Sequence, residues 1–381
     1  MTDGAPVREA ARTGTSAPEP AAAQPASRVR AGRTIAILAP GGIGAPIGGL
    51  LTRAGHDVVL IDQWVEHVER MRARGLYLEI GTRQEPETEM FVPVRVYHLN
   101  EIATLRESFD VVFLTAKSTD THWLVEFIKP YLKPDGVLVS MQNSLNEEWI
   151  SPVLGPERVA GCVLTGGGEL LEPGYVWRNR SINHPYYTLG ELDGQITPRL
   201  LEIVDLLSDA GKVTTTTNLL GAKWTKLIRN AQGAVSSMCN MRSWKLLDEP
   251  RYVPLVSHIT REAMEVGIAC GYRMEPINGL TVADLMGSPE QIAQAIIEDA
   301  RVGGSEGSIS MVQQDMKRGR PSEVAGYLNG LIVRKGHEAG VPTPVNEAIT
   351  ELHMRVERHE LPWDMSNFEL AAKTITAAAR R

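Results

Sequence analysis

The sequence predicts an α/β unit with a doubly wound, mostly parallel sheet, followed by an all-helical unit. Three observations carry that prediction. Strand-like and helix-like segments alternate from Thr34 to about Thr217, a glycine-rich turn joins the first strand to the first helix, and helical periodicity dominates from Asn218 to about Glu360.

The first element is the apolar run Thr34-Ile35-Ala36-Ile37-Leu38, followed by Ala39-Pro40-Gly41-Gly42-Ile43-Gly44-Ala45-Pro46-Ile47-Gly48 and a second apolar run, Val58-Val59-Leu60-Ile61-Asp62. Strand, glycine turn, helix and strand with a terminal carboxylate form the opening of a Rossmann-type dinucleotide-binding sheet. Gly41 lets the backbone approach a pyrophosphate at the helix N-terminus, Gly44 lets the helix pack on the strand, and Asp62 stands where an acid accepts from a ribose hydroxyl. Ala39, Gly41, Gly42, Ile43, Gly44, Asp62 and its neighbour Gln63 are therefore the expected cofactor-binding set. Ala39 replaces the first glycine of the fingerprint, and Pro40 predicts an extended conformation for it. Pro46 falls near the first helical turn, where proline is tolerated.

Further elements follow in order. Trp64–Gly75 reads as helix, Leu76–His98 as a mixed, antiparallel piece, and Asp110–Thr115 as a buried strand. Thr119–Leu132 reads as a helix closed by Pro134, Val137–Met141 as a strand, and Val159–Leu164 and Tyr187–Gly190 as further strands, with Arg199–Ala210 an amphipathic helix. Thr217 or Asn218 caps a helix over Leu219–Cys239. Helices over Tyr252–Gly271, Gln291–Val302 and Glu323–Gly340 complete the series. The division expected is a disordered extension over 1–33, a sheet domain over 34–217, a helical domain over 218–362 and a tail over 363–381. The extension is Ala-rich, carries Pro6, Pro18, Pro20 and Pro25, and has too few large apolar side chains to order itself or to form a secretion signal.

Composition narrows the function. The 381 residues are 43% hydrophobic and 22% charged, as in ordinary globular proteins, and the net charge of −7 gives no electrostatic case for nucleic acid or an anionic membrane. No apolar run reaches the roughly 18 residues of a membrane span. Cys162, Cys239 and Cys270 are odd in number and in no metal or redox spacing, so they read as reduced thiols of a cytoplasmic protein. The nine histidines form no metal-binding pattern, and no metal site is expected.

Candidate chemistry lies at the ends of strands and on the helices. Lys117 and Asn143 each follow a predicted strand directly, where this architecture places ligand contacts. Lys226 and Asn230 are four apart in Trp224-Thr225-Lys226-Leu227-Ile228-Arg229-Asn230 and share a helix face, an ammonium and an amide suited to polarising a carbonyl oxygen. A lone helix lysine is more often simply solvated. Glu323, in Gly319-Arg320-Pro321-Ser322-Glu323, reads on its own as a helix-start residue favoured by the dipole.

Taken together these residues resemble the ketopantoate reductase family (2-dehydropantoate 2-reductases) from about Arg33 to about Arg358. The resemblance rests on the fingerprint, Ala116-Lys117, Gln142-Asn143, Glu172-Pro173-Gly174, Trp224-x-Lys226-Leu227-x-x-Asn230, and Gly319–Glu323 leading to Tyr327-Leu328-Asn329-Gly330. It implies nicotinamide-dependent reduction of a small 2-oxo acid. Lys226 is then the general acid, Glu323 orients the substrate, and Asn143, Asn230 and Asn329 belong to the substrate-binding set, with Asn143 also near the nicotinamide and Lys117 bordering the cofactor. A homodimer is implied too.

The chain departs from the family pattern at Ala39 and Ser144, where glycine is usual, at Ala234, commonly asparagine, and at Ala325, often an acid. Loss of an amide and a carboxylate suggests a substrate with different polar groups from ketopantoate. Asp62 followed by Gln63 favours NAD(H), because a carboxylate repels a 2′-phosphate. Arg70, Arg72 and Arg74 keep NADP(H) possible. Two alternatives stay open: an NAD-dependent hydroxy acid or alcohol dehydrogenase working oxidatively, and a non-catalytic NAD(P)-binding sensor.

Overall fold

The computed structural model describes residues 32–82, 85–276, 281–288, 291–292, 294–295, 297 and 310–378. All but the last two residues of the expected extension, and most of the helix expected at 291–302, lie outside the described residues.

The sheet half begins with β1 (Thr34–Leu38), α1 (Gly44–Arg53), β2 (Asp57–Asp62) and α2 (Val65–Arg74), then β3 (Leu76–Gly81), β4 (Pro86–Val92) and β5 (Arg95–His98). It continues through β6 (Phe109–Leu114), α3 (Thr121–Ile128), β7 (Leu132–Ser140), α4 (Glu147–Leu154), β8 (Val159–Leu164), β9 (Gly168–Glu172), β10 (Tyr175–Arg178), β11 (Pro185–Glu191), α5 (Pro198–Ser208) and β12 (Lys212–Thr215). Near-continuous burial along β1, β2, β6 and β8 is what a parallel sheet covered on both faces requires. The main sheet runs β12-β11-β8-β7-β6-β1-β2-β5, and only the β8–β11 pair is antiparallel. Strand order reverses beside β1, so the carboxyl ends of β1, β2, β6 and β7 open onto one crevice.

The antiparallel piece expected over Leu76–His98 is divided between two sheets. β5 extends the main sheet, whereas β3 and β4 pair antiparallel in a second sheet of order β4-β3-β10-β9. Sequence reading gave no sign of this second sheet, because β9 and β10 are short and join β3 from a hundred residues away.

The helical half comprises α6 (Leu219–Met238), α7 (Tyr252–Ala269), α8 (Val282–Met286), α9 (Met311–Lys317), α10 (Val324–Tyr327), α11 (Asn329–Ala339), α12 (Pro344–Glu357) and α13 (Ser366–Ala378). Trp224, Leu227, Val235, Leu255, Leu331 and Ile349 meet in one core. Among the described residues no helix is long and apolar enough to cross a membrane.

Four expectations change. Ala39 is left-handed (φ 60°) rather than extended, because its amide must reach Ile61 O (2.9 Å) while its carbonyl accepts from Gly41 N (2.8 Å) and Thr115 Oγ1 (2.8 Å). Asn218 precedes α6 but makes no side-chain cap, its amide being drawn to Arg273 O instead (2.5 Å). The single helix expected over Glu323–Gly340 breaks at Leu328 (φ −116°, ψ −105°), where Tyr327 N and Leu328 N both converge on Glu323 O. The expected tail folds back instead. Phe368 and Ala371 of α13 are buried in the helical core, Trp363 Nε1 donates to Ser237 O (2.7 Å), and Asn367 Nδ2 donates to Met238 O (3.0 Å).

Candidate active-site cleft

A cleft of about 430 Å³ lies between the carboxyl ends of the sheet strands and the helices α6 and α9. On the sheet side Ala39, Gly41, Gly42 and Ile43 line it. Gly41 faces open space where a side chain would begin, so the turn is bare toward the cleft. Ala45 N already donates to Gly41 O (3.0 Å) and Pro46 has no N–H, but the bare turn at the head of α1 still fits a pyrophosphate. Gly42 meets the backbone of Gly168 instead, and Gly44 packs against Thr115 and Ile37 outside the lining. Gly44 is thus a packing glycine at the N-terminus of α1.

Asp62, at the end of β2, is nearly buried and accepts from Trp64 N (2.7 Å); burial holds its carboxyl above the ordinary range. Beside it His67 is fully buried. Its Nδ1 accepts from Gly174 N (2.8 Å), which leaves Nε2 to donate to Pro40 O (3.1 Å), and burial keeps the ring neutral. His67 therefore ties the fingerprint turn to the β9–β10 hairpin. Gln63 lines the same end. Arg70, Arg72 and Arg74 do not: Arg70 packs on Gly174, and Arg72 pairs with Glu69 and Glu101 (2.6 Å each).

Lys117, after β6, forms an ion pair with the buried Asp315 of α9 (2.8 Å). Asn143, after β7, places its Nδ2 3.2 Å from Met311 Sδ, and its carbonyl accepts from Asn146 Nδ2 (2.6 Å). Next to it Ser144 adopts φ 66°, a left-handed conformation that glycine takes most readily, and its Oγ donates to Tyr327 O (2.7 Å).

From the helical side come Lys226 and Asn230 on one face of α6 and Glu323 at the start of α10. Lys226 Nζ donates to Leu164 O at the end of β8. Burial lowers its pKa to about 7, assisted by the positive charges of Lys223 and Arg229. Glu323 is 2% exposed; its Oε1 accepts from Ser118 N (2.8 Å), and its Oε2 has no partner. Asn230 Nδ2 is likewise buried without a partner. A donor and an acceptor left unmade in a buried wall are costly unless a ligand completes them.

Three expectations fall outside the cleft. Asn329 is fully buried and spans Ala231 O (3.2 Å) and Asn346 Oδ1 (3.0 Å), holding α11 to α6 and α12; it is a core tie rather than a substrate contact. Ala234 sits in the helical core, and Ala325 is outside the lining, so neither touches the cavity as it stands. Conversely, Asp315, Arg318, Arg320 and the loop Gly166–Gly168 line the cleft although sequence reading passed over them. Their signals were a run of three glycines and two arginines flanking Gly319, which turns left-handed (φ 64°) beyond α9.

A glycine turn at a strand-order reversal, faced by a lysine, an amide and a carboxylate from an all-helical half, defines a two-domain α/β oxidoreductase. Comparison with known proteins agrees. A family model described as "Ketopantoate reductase PanE/ApbA" matches residues 35–194, and one described as "Ketopantoate reductase PanE/ApbA C terminal" matches residues 218–357. The chain belongs to the ketopantoate reductase family. It is 25% identical to a 2-dehydropantoate 2-reductase of Archaeoglobus fulgidus, over 85% of its own length and 97% of the relative's. A solved PanE/ApbA family ketopantoate reductase from Ralstonia eutropha JMP134 superposes with a TM-score of 0.71 at 27% identity, covering 86% of this chain and 99% of that one. A D-mandelate dehydrogenase solved with NADH and anilino(oxo)acetate gives a TM-score of 0.72 at 20% identity with the same coverage, a likeness of fold.

Proposed function

We propose that the protein reduces the carbonyl of a small 2-oxo acid with a nicotinamide dinucleotide, Lys226 acting as the proton donor. The observation that carries this reading is the trio in the cleft wall: the Lys226 ammonium, the unpartnered Nδ2 of Asn230 and the unpartnered Oε2 of Glu323. The nicotinamide, when bound, supplies hydride to the carbonyl carbon. The carbonyl oxygen takes the Lys226 proton, leaving a neutral amine that regains a proton from solvent. Asn230 holds the same oxygen or the neighbouring carboxylate, and Glu323 accepts from a hydroxyl of the substrate or product. Asn143, in the cleft wall after β7, would contact nicotinamide and substrate, and Lys117, fixed by Asp315, would border the cofactor.

Asp62 and Gln63 support NAD(H) over NADP(H), since none of Arg70, Arg72 and Arg74 lines the cleft. A Lys226 pKa near neutrality also supports the reverse reaction, oxidation of a 2-hydroxy acid, with the amine as base. The test is turnover of NADH and NADPH with ketopantoate and a panel of other 2-oxo acids, and of NAD with the matching hydroxy acids. No turnover of any acid by wild-type protein that binds the dinucleotide sinks the reading.

A further inference from the structure

One turn before Lys226, on the same side of α6, stands a second buried lysine. Lys223 is 2% exposed and forms an ion pair with Glu147, 1% exposed, at the start of α4. Its Nζ also donates to Gln142 O (3.1 Å), the carbonyl that immediately precedes Asn143. Glu147 Oε2 has no hydrogen-bond donor, and Gly161 of β8 leaves room for the carboxylate, because a Cβ there would strike Glu147 Oε1. A pair so buried contributes little net stability, since desolvating two charges offsets most of their attraction. Its position gives it another use.

We propose that Lys223 is a positioning residue for proton transfer at Lys226, anchoring the loop that carries Asn143 and placing a fixed positive charge one helical turn from the Lys226 ammonium. The inference rests on the reading of Lys226 as proton donor. Residues three apart on a helix are neighbours, and a like charge in a poorly solvated wall favours loss of the proton. Lys226 is faced by Lys223 and Arg229 on its own helix, by Cys162 of β8, whose buried thiol is pushed up to about 12 and stays uncharged, and by Glu323 at the start of α10. Lys223 shares helix α6 with Lys226, and Glu147, its partner from α4, offsets part of that charge.

The test is the titration of Lys226 itself in the full chain, read as the pH dependence of acetylation of its peptide by acetic anhydride. In Lys223→Met/Glu147→Gln, which removes both charges of the pair and the bond to Gln142 O, the Lys226 midpoint should rise by a measurable fraction of a pH unit. The fall of 2-oxo acid reduction at high pH should move up with it. Lys223→Met/Glu147→Leu provides the same comparison if the first variant fails to fold. An unmoved Lys226 midpoint in a folded double variant overturns the inference alone. Full turnover by Lys226→Ala overturns the proton-donor reading and, with it, the catalytic meaning of Lys223.

Discussion

The seam behind the cleft and the wall in front of it are built from the same kinds of side chain to opposite ends. At the back, three consecutive residues of α4 each take a partner in the helical half. Glu147 pairs with Lys223, Glu148 accepts from Tyr272 OH and Lys335 Nζ (2.9 Å each), and Trp149 meets Tyr327 edge to face at 4.9 Å, with Arg334 over its ring. At the front, Asn230 and Glu323 keep buried polar atoms with no partner, and Lys226 rests on a backbone carbonyl. Groups paired across the seam fix the two halves against one another, although Glu147 Oε2 stays without a donor; the unpaired groups that line the cleft hold binding capacity in reserve. The difference separates residues that make the fold from residues that wait for a ligand.

The sharpest way to break this contrast is Lys226→Ala. Removing the proton donor should lower kcat/KM by about 10²–10⁴-fold while NADH binding, followed by fluorescence, stays nearly unchanged. The pH profile comes next. Reduction needs the ammonium, so its rate should fall about tenfold per unit above pH ~7, and oxidation of a hydroxy acid should rise through the same value. A reduction rate flat to pH 9 is incompatible with Lys226 as the acid.

Glu323→Gln should cost roughly 10–100-fold in kcat/KM, as loss of a hydrogen bond to a charged group does, with little change in melting temperature, because Ser118 N–H still finds an acceptor. Trp149→Ala should do the reverse: a loss of about 2 kcal/mol in denaturant unfolding, with kcat/KM within a few-fold of wild type. If catalysis falls as far as in Lys226→Ala, the seam and the wall are not separable. The smallest effect is Ala39→Gly, which relieves a left-handed alanine and should add up to about 1 kcal/mol of stability.

How far the sequence could be read depended on the range of the contacts involved. The fold class was legible because period and turn chemistry are local: β1, α1 and β2 declare themselves within thirty residues, and β8 was read to its ends at Val159 and Leu164. The second sheet was not legible, since its β3–β10 pairing is long-range and leaves no local period. Ala39 shows a local rule overridden: the preference imposed by Pro40 lost to three hydrogen bonds that only the folded turn offers. In the cleft, Lys226 and Asn230 were found through helix spacing. Asp315 and Lys223 were missed because an acid or lysine in a helix looks solvated until its partner across the molecule is known. Asn329 was misplaced for the converse reason: it stands near Glu323 along the chain but beyond the Leu328 break, facing the core.

Glu323 accepts from Ser118 N, and the Tyr327 carbonyl accepts from Ser144 Oγ, so both ends of the short helix α10 are stapled to loops of the sheet half. By chain position α10 belongs with the helices; by its bonds it belongs to the rim of the sheet. A cut between residues 217 and 218 would leave one fragment with the glycine turn but without Glu323, and the other with Glu323 on a helix deprived of both its staples. The reaction vessel is thus a property of the unsplit chain, closed by a segment that the polypeptide delivers more than a hundred residues after the last strand of the sheet half.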